Sequence, residues 1–165
     1  MLGAARAPID LQILGRVLLH AALVGAAAGL LGSLFFAGVE AAQRVFLEAP
    51  TGYVPLRAGG ERIFGEITKP VPFRPWLLWL VPAAGALVAG ILSQWLAPET
   101  RGGGADAIIE AFHKNNGFVR KRVAFVKAIV SILTLGTGGS GGREGPTMQM
   151  GGALGSLVGQ VLRVT

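Results

Sequence analysis

Two long apolar runs dominate the pattern of this chain. From Val17 to Val39 the sequence VLLHAALVGAAAGLLGSLFFAGV carries no formal charge with His20 neutral, and Arg16 and Glu40 bracket it. From Trp76 to Leu96 the sequence WLLWLVPAAGALVAGILSQWL is equally free of charge. Runs of about 20 apolar residues cross roughly 30 Å of hydrocarbon as helices, whereas the apolar core of a cleaved signal peptide covers only about 7–15. Two later segments are less regular. VAFVKAIVSILTL (Val123–Leu135) contains Lys127, and PTMQMGGALGSLVGQVL (Pro146–Leu162) is uncharged but short. Neither need span a bilayer fully, and a glycine-rich run with a charge pair, Arg143 and Glu144, lies between them. The pattern predicts an all-α, multi-pass membrane protein forming a single membrane domain over 1–165. Its long helices are expected over about 14–44 and 76–97, a short helix over 104–115, and two more over 119–136 and 146–163.

Composition agrees: 52% of residues are hydrophobic, 15% are charged and 26 are glycine, with a mean hydropathy of +0.56, too apolar for a soluble domain of this length. The net charge of +6 does not signal a nucleic-acid surface, because the Lys and Arg residues sit between apolar runs as membrane flanks and form no stripe with aromatics. The absence of cysteine excludes disulfides and thiolate metal sites, and no metal or organic cofactor is predicted. Arg101, Lys114, Arg120, Lys121 and Arg122 between the second and third apolar segments, with Arg6 and Arg16 at the start, favour a cytoplasmic N-terminus. Five basic residues between positions 40 and 75 run against that assignment. Trp76, Trp79 and Trp95 fit an aromatic belt, and Gly25 with Gly29, then Gly151, Gly155 and Gly159, have the spacing of close-packing helix faces.

The glycine-rich stretch GTGGSGGREGPTMQMGGALGS (136–156) carries the chemistry. Irregular backbone at membrane depth is tolerated only where protein buries it or where it lines a cavity. Pro146 suits the first turn of a helix, so a helix is expected to begin just after Glu144. Its first amides lack helical partners and its dipole is positive there, so backbone N–H groups alone can hold an anion. Glu144 is itself an anion able to occupy such a site and to leave on protonation, which makes it a gate and a candidate proton carrier. The plain alternative is a charge pair at a wet helix start. A second such start is offered by RGGGADAIIEAFH (101–113), where Gly102, Gly103, Gly104 and Ala105 precede an amphipathic run, the alternative being an ordinary turn. Gly136, Gly138 and Gly141 match G-x-G-x-x-G after VSILTL, but no Asp or Glu follows Glu144 and no G-K-[ST] exists, so a nucleotide-binding enzyme is a distant reading. His20 reads as a hydrogen-bonded interior histidine, and Lys127 as a buried or snorkelling base that adds positive potential.

The sequence GREGP at 142–146, followed by TMQMGGALGS, resembles the signature of the CLC family of voltage-gated chloride channels and chloride/proton antiporters. Residues 101–160 are similar in order and spacing, with GGGAD (102–106) at the place of the family's GSGIP motif and Lys127 at that of a buried basic residue. Residues 14–97 match only as hydropathy. The resemblance implies the first, N-terminal repeat of an inverted-repeat fold with broken and re-entrant helices. It implies passive or proton-coupled transport of chloride or a similar anion, not an enzyme, with Glu144 as gate. Gly102, Gly103, Gly104 and Ala105 would open one anion-binding helix, Arg143, Gly145 and Pro146 would lie at another, and Lys127 would make the pathway electropositive. Partners implied are membrane lipid, anions and a second copy in a homodimer, in a bacterial inner membrane. Gly103 stands where the family has a serine, and Asp106 where it has a proline. The second repeat, with its tyrosine and internal proton-transfer glutamate, has no counterpart here, so channel and antiporter are not separated. The chain ends at LRVT just after an apolar helix, as expected of a fragment comprising the N-terminal half. The competing reading is a non-conducting membrane packing subunit or a truncated remnant.

Overall fold

The computed structural model describes residues 11–56, 63–65 and 71–162. Six α-helical segments occur among them: α1 (Leu11–Ala42), α2 (Ala49–Thr51), α3 (Leu77–Leu96), α4 (Ala105–Lys114), α5 (Arg122–Gly136) and α6 (Glu144–Leu162). No strand is present among the described residues, and Ser131–Leu135 are helical. The strand that a dinucleotide loop after VSILTL would require is therefore replaced by a helix.

The first helix outruns its apolar stretch. It continues from Ala42 through a π-helical segment, Gln43–Glu48, into α2, and ends at Gly52, whose φ of 70° reverses the chain. Two contacts make the extension tolerable. The buried carboxylate of Glu40 accepts the backbone N–H groups of Ile63 at 2.8 Å and Phe64 at 3.1 Å, which replace the water it has lost. The fully buried Thr51 donates its hydroxyl to the Leu47 carbonyl at 2.6 Å, while its own carbonyl accepts the Arg74 N–H at 2.8 Å. The polar chain after Val39 is thus folded back onto the helix it leaves.

Ile13–Thr51 and Leu77–Leu96 are long and apolar enough to cross a membrane. Only 11% and 17% of their most apolar windows are buried within the chain, so most of this apolar surface faces outward. A core helix of a water-soluble protein would bury it, and the outward face suits lipid. Trp76, Trp79 and Trp95 are exposed at the two ends of α3.

The interior is organised around α5, which packs on α1, α3 and α6. One buried cluster joins Phe35 and Val39 of α1 to Ala128 and Leu135 of α5 and Met150 of α6. A second joins Val123 and Ala124 to Ala153 and Leu154. Helix approaches are closest at glycines other than those the spacing singles out. A Cβ on Gly38 would stand 2.7 Å from Ile132 Cδ1, one on Gly152 2.8 Å from Ile108 Cδ1, one on Gly136 would overlap Ala42, and one on Gly85 would overlap Thr137. Around Gly25, Gly29, Gly151 and Gly159 there is open space within 4 Å, and Gly155 meets only Val24 at 3.8 Å. Small-residue spacing identifies faces able to approach closely, but the crossing point of two helices decides which are used. His20 is another correction: it is half-buried on α1 and has no hydrogen-bond partner among the described residues.

Placing valine at Gly136 is expected to destabilise the chain by about 1–3 kcal/mol through overpacking against Ala42. Gly29→Ala should leave stability unchanged or raise it by up to about 1 kcal/mol. Thermal unfolding followed by circular dichroism in detergent compares the two.

Candidate functional site

Two glycine-rich turns end in helix starts. After α3 the chain makes a 3-10 turn, Pro98–Thr100, and then passes through Gly102 at φ 75° and Gly104 at φ 101°. The second value is one that residues with a Cβ rarely adopt, and Gly104 is the N-cap of α4, with no side-chain cap. The first helical bond of α4 runs from Ile108 N–H to the Gly104 carbonyl at 3.4 Å. The amides of Ala105, Asp106 and Ala107 thus precede the intrahelical ladder. In α6 the corresponding first bond is Thr147 N–H to the Arg143 carbonyl at 3.1 Å, which puts the amides of Glu144 and Gly145 ahead of the ladder. Pro146, third in the helix, has no N–H to satisfy.

These two starts meet. A Cβ on Gly104 would lie 2.8 Å from the Gly145 carbonyl oxygen, and one on Gly145 would overlap the Gly103 carbonyl oxygen. Backbone therefore touches backbone, and the positive ends of two helix dipoles come to one place.

The turn before α4 is held from behind by side chains of α5 and α6. Lys127, 3% exposed, donates from Nζ to the carbonyls of Thr100 at 2.9 Å and Gly102 at 2.7 Å. Gln149, 1% exposed, donates from Nε2 to the Glu99 carbonyl at 2.6 Å. The Thr100 hydroxyl bonds the Ala97 carbonyl at 2.7 Å and pairs with Ser93 Oγ at 2.9 Å. Sequence reasoning left Lys127 between buried and snorkelling, and it is buried. It passed over Gln149 altogether, although one amide between Met148 and Met150 in an apolar helix is a visible signal.

A cleft of about 1050 Å³ opens between α3 and α5, and Gly102, Gly103, Lys127, Gly142, Gly145 and Pro146 are among its lining residues. Among the described residues its lining includes no carboxylate. Amides outside any helical ladder, converging dipoles and one ammonium suit a negatively charged occupant. Gly104 and Ala105 sit behind this surface, in the junction of the two helices. Arg143 is placed elsewhere: its guanidinium lies 5.3 Å over the Phe36 ring and lines a separate cleft with Gly29, Gly32 and Ile63. Glu144 is exposed, and its Oε2 folds back so tightly on Gly142 that a Cβ there would overlap it. Asp106 is exposed in the first turn of α4 and lines a third cleft with Glu99, Glu110 and Arg120; Arg120 pairs with Glu99 at 3.0 Å.

The outward apolar faces of α1 and α3 mark the class of this chain as a membrane protein. The voltage gated chloride channel family matches over residues 85–165, and the chain belongs to that family. It is 38% identical over 149 residues to the H(+)/Cl(-) exchange transporter ClcA of Vibrio vulnificus, covering 90% of this chain and 29% of that protein. It is 36% identical over 149 residues to the ClcA exchanger of Vibrio campbellii, with coverage of 90% and 29%, and 34% identical over 166 residues to that of Cronobacter sakazakii, with coverage of 94% and 32%. These relatives are named as exchange transporters, not enzymes. The chain spans less than a third of their length. The similarity reaches beyond the motif region into the first two long helices. No solved structure matches the chain.

Alanine at Gly104 or at Gly145 should each cost more than about 2 kcal/mol, from the strained φ at the first and backbone overlap at both. Gly103→Ser meets nothing within 4 Å and should stay within about 0.5 kcal/mol of the parent. Amide hydrogen exchange across Ala105–Lys114 would report both outcomes.

Proposed function

We propose that this chain contributes to the transport of chloride or a similar anion across a membrane, with the anion held by backbone amides at the starts of α4 and α6. The observation that carries this reading is the contact of Gly103 and Gly104 with Gly145 beside a cleft that also contains Lys127. In this reading Gly102, Gly103, Gly145 and Pro146 line the anion site, Gly104 and Ala105 form the helix junction behind it, and Lys127 supplies positive potential without closing on the ion. Arg143, stacked on Phe36, contributes through its backbone and its longer-range field. Glu144 is the gate: its carboxylate competes with the anion for the amides of α6 and swings away when protonated. The names of the exchange transporters that the chain resembles favour coupling to protons over passive flow. No organic cofactor or metal takes part. The protein is an integral, multi-pass component of a bacterial inner membrane and works as a homodimer.

The open faces at Gly25 and Gly29 favour a second reading, in which the chain only packs against a partner helix and conducts nothing. Chloride efflux from vesicles holding the chain separates the two. Anion transport predicts chloride efflux, a rate altered about tenfold or more by Glu144→Gln, and a similar disturbance from Gly142→Ala, which crowds the Glu144 carboxylate. A packing subunit gives no efflux and is indifferent to either substitution.

A further inference from the structure

The side chain of Gln149 is buried to 1% exposure, and its Oε1 has no hydrogen-bond partner. Such an orphaned acceptor is costly, and a methionine or leucine would fill similar space without it. The amide must therefore supply something that an apolar side chain lacks. Its Nε2 reaches the Glu99 carbonyl at 2.6 Å, 50 positions earlier in the chain. This contact also fixes the orientation of the amide, since an oxygen there would face another oxygen. Oε1 is left against Gly104, 3.0 Å from where a Cβ on that residue would stand. One planar group thus touches both ends of the turn from Glu99 to Gly104.

Gln149 lies one helical turn after Gly145, so the two share a face of α6. Gly145 meets the turn at Gly103 and Gly104, and Gln149 meets it at Glu99 and Gly104. Three residues further on, Gly152 meets Ile108 of α4 at 2.8 Å from its would-be Cβ. This face of α6 sets the position of the α4 start at several points. Lys127 binds the same turn at Thr100 and Gly102, but it also carries charge. Gln149 holds the turn without adding any field of its own.

We propose that Gln149 is a positioning residue that sets the distance between the amides of α4 and those of α6, and so tunes how tightly an anion is held between them. This rests on the anion-binding reading of the two helix starts. A looser brace lets the α4 amides drift from the place where both helix ends act on one ion. The bound state weakens while the rest of the fold stays intact.

The test is calorimetric titration of chloride into the full chain in detergent, for the parent, Gln149→Met and Gln149→Glu, with helicity and unfolding midpoint measured on the same samples. Gln149→Met should weaken chloride binding about tenfold, the effect of one lost hydrogen bond on a site that depends on it. Gln149→Glu keeps the shape but loses the donor and brings a negative charge close to the α4 start, so it should weaken binding further. Gln149→Met should keep the parent's helicity and a midpoint within a few degrees, while Gln149→Glu buries a carboxylate against the Glu99 carbonyl and lowers the midpoint. In vesicles the same variants should raise the chloride concentration for half-maximal efflux and change the maximal rate less. Parent-like affinity in both variants overturns the proposal, as does a loss of affinity matched by a loss of helix. Should Gln149→Met fail to fold, Gln149→Leu, which also lacks the amide and carries no charge, decides. If the parent itself binds no chloride, the anion-binding reading fails, and the role given to Gln149 falls with it. If the parent binds and the variants bind equally well, only the role given to Gln149 fails.

Discussion

The constraint on which this structure depends is the backbone contact between Gly103–Gly104 and Gly145. It brings two helix starts within touching distance, which neither position would allow with a side chain. Once the contact is made, irregular backbone is fixed between apolar helices, and its polar groups need partners there. The carbonyls of Glu99, Thr100 and Gly102 find theirs in Gln149 and Lys127, two polar side chains in otherwise apolar helices. Of the residues at the two helix starts, Gly145 and Pro146 line the cleft, beside Gly102 and Gly103 of the turn before α4.

The same economy governs Lys127, one of three buried charged residues among those described, the others being Glu40 and Glu48. Glu40 accepts the amides of Ile63 and Phe64, and Lys127 donates to two carbonyls. A buried ion pair would cancel its own field, whereas an ammonium held by neutral dipoles keeps its field and still has charge-assisted hydrogen bonds. For Lys127 the consequence is electrostatic, because among the described residues no carboxylate lines the cleft it faces. For Glu40 the consequence is structural: its bonds hold part of the chain after α2 against α1, and Ile63 forms one wall of the cleft occupied by Arg143.

Membership in the voltage gated chloride channel family gives these local arrangements a common sense, since its members must bind an ion and then release it. Neutral amides at helix ends hold an anion more weakly than a full countercharge would, and weak holding is compatible with release. Glu144, exposed and folded onto Gly142, makes no side-chain hydrogen bond among the described residues.

The sequence by itself determined the elements and their polarity. Charge-free runs fixed α1 and α3 as helices suited to lipid, and the glycines before Ala105 and Pro146 marked two helix starts, because hydropathy, helix initiation and glycine's φ are properties of neighbouring residues. The tertiary structure alone decided which elements meet and at what point. The close approaches fall at Gly38, Gly85, Gly136 and Gly152 instead of Gly25 and Gly29. Arg143 turns onto Phe36, α1 continues past Glu40 because loop amides receive its carboxylate, and Gln149 braces a turn 50 residues away. Each of these depends on where one helix crosses another, and a helix carries the same local pattern whichever of its faces is finally covered.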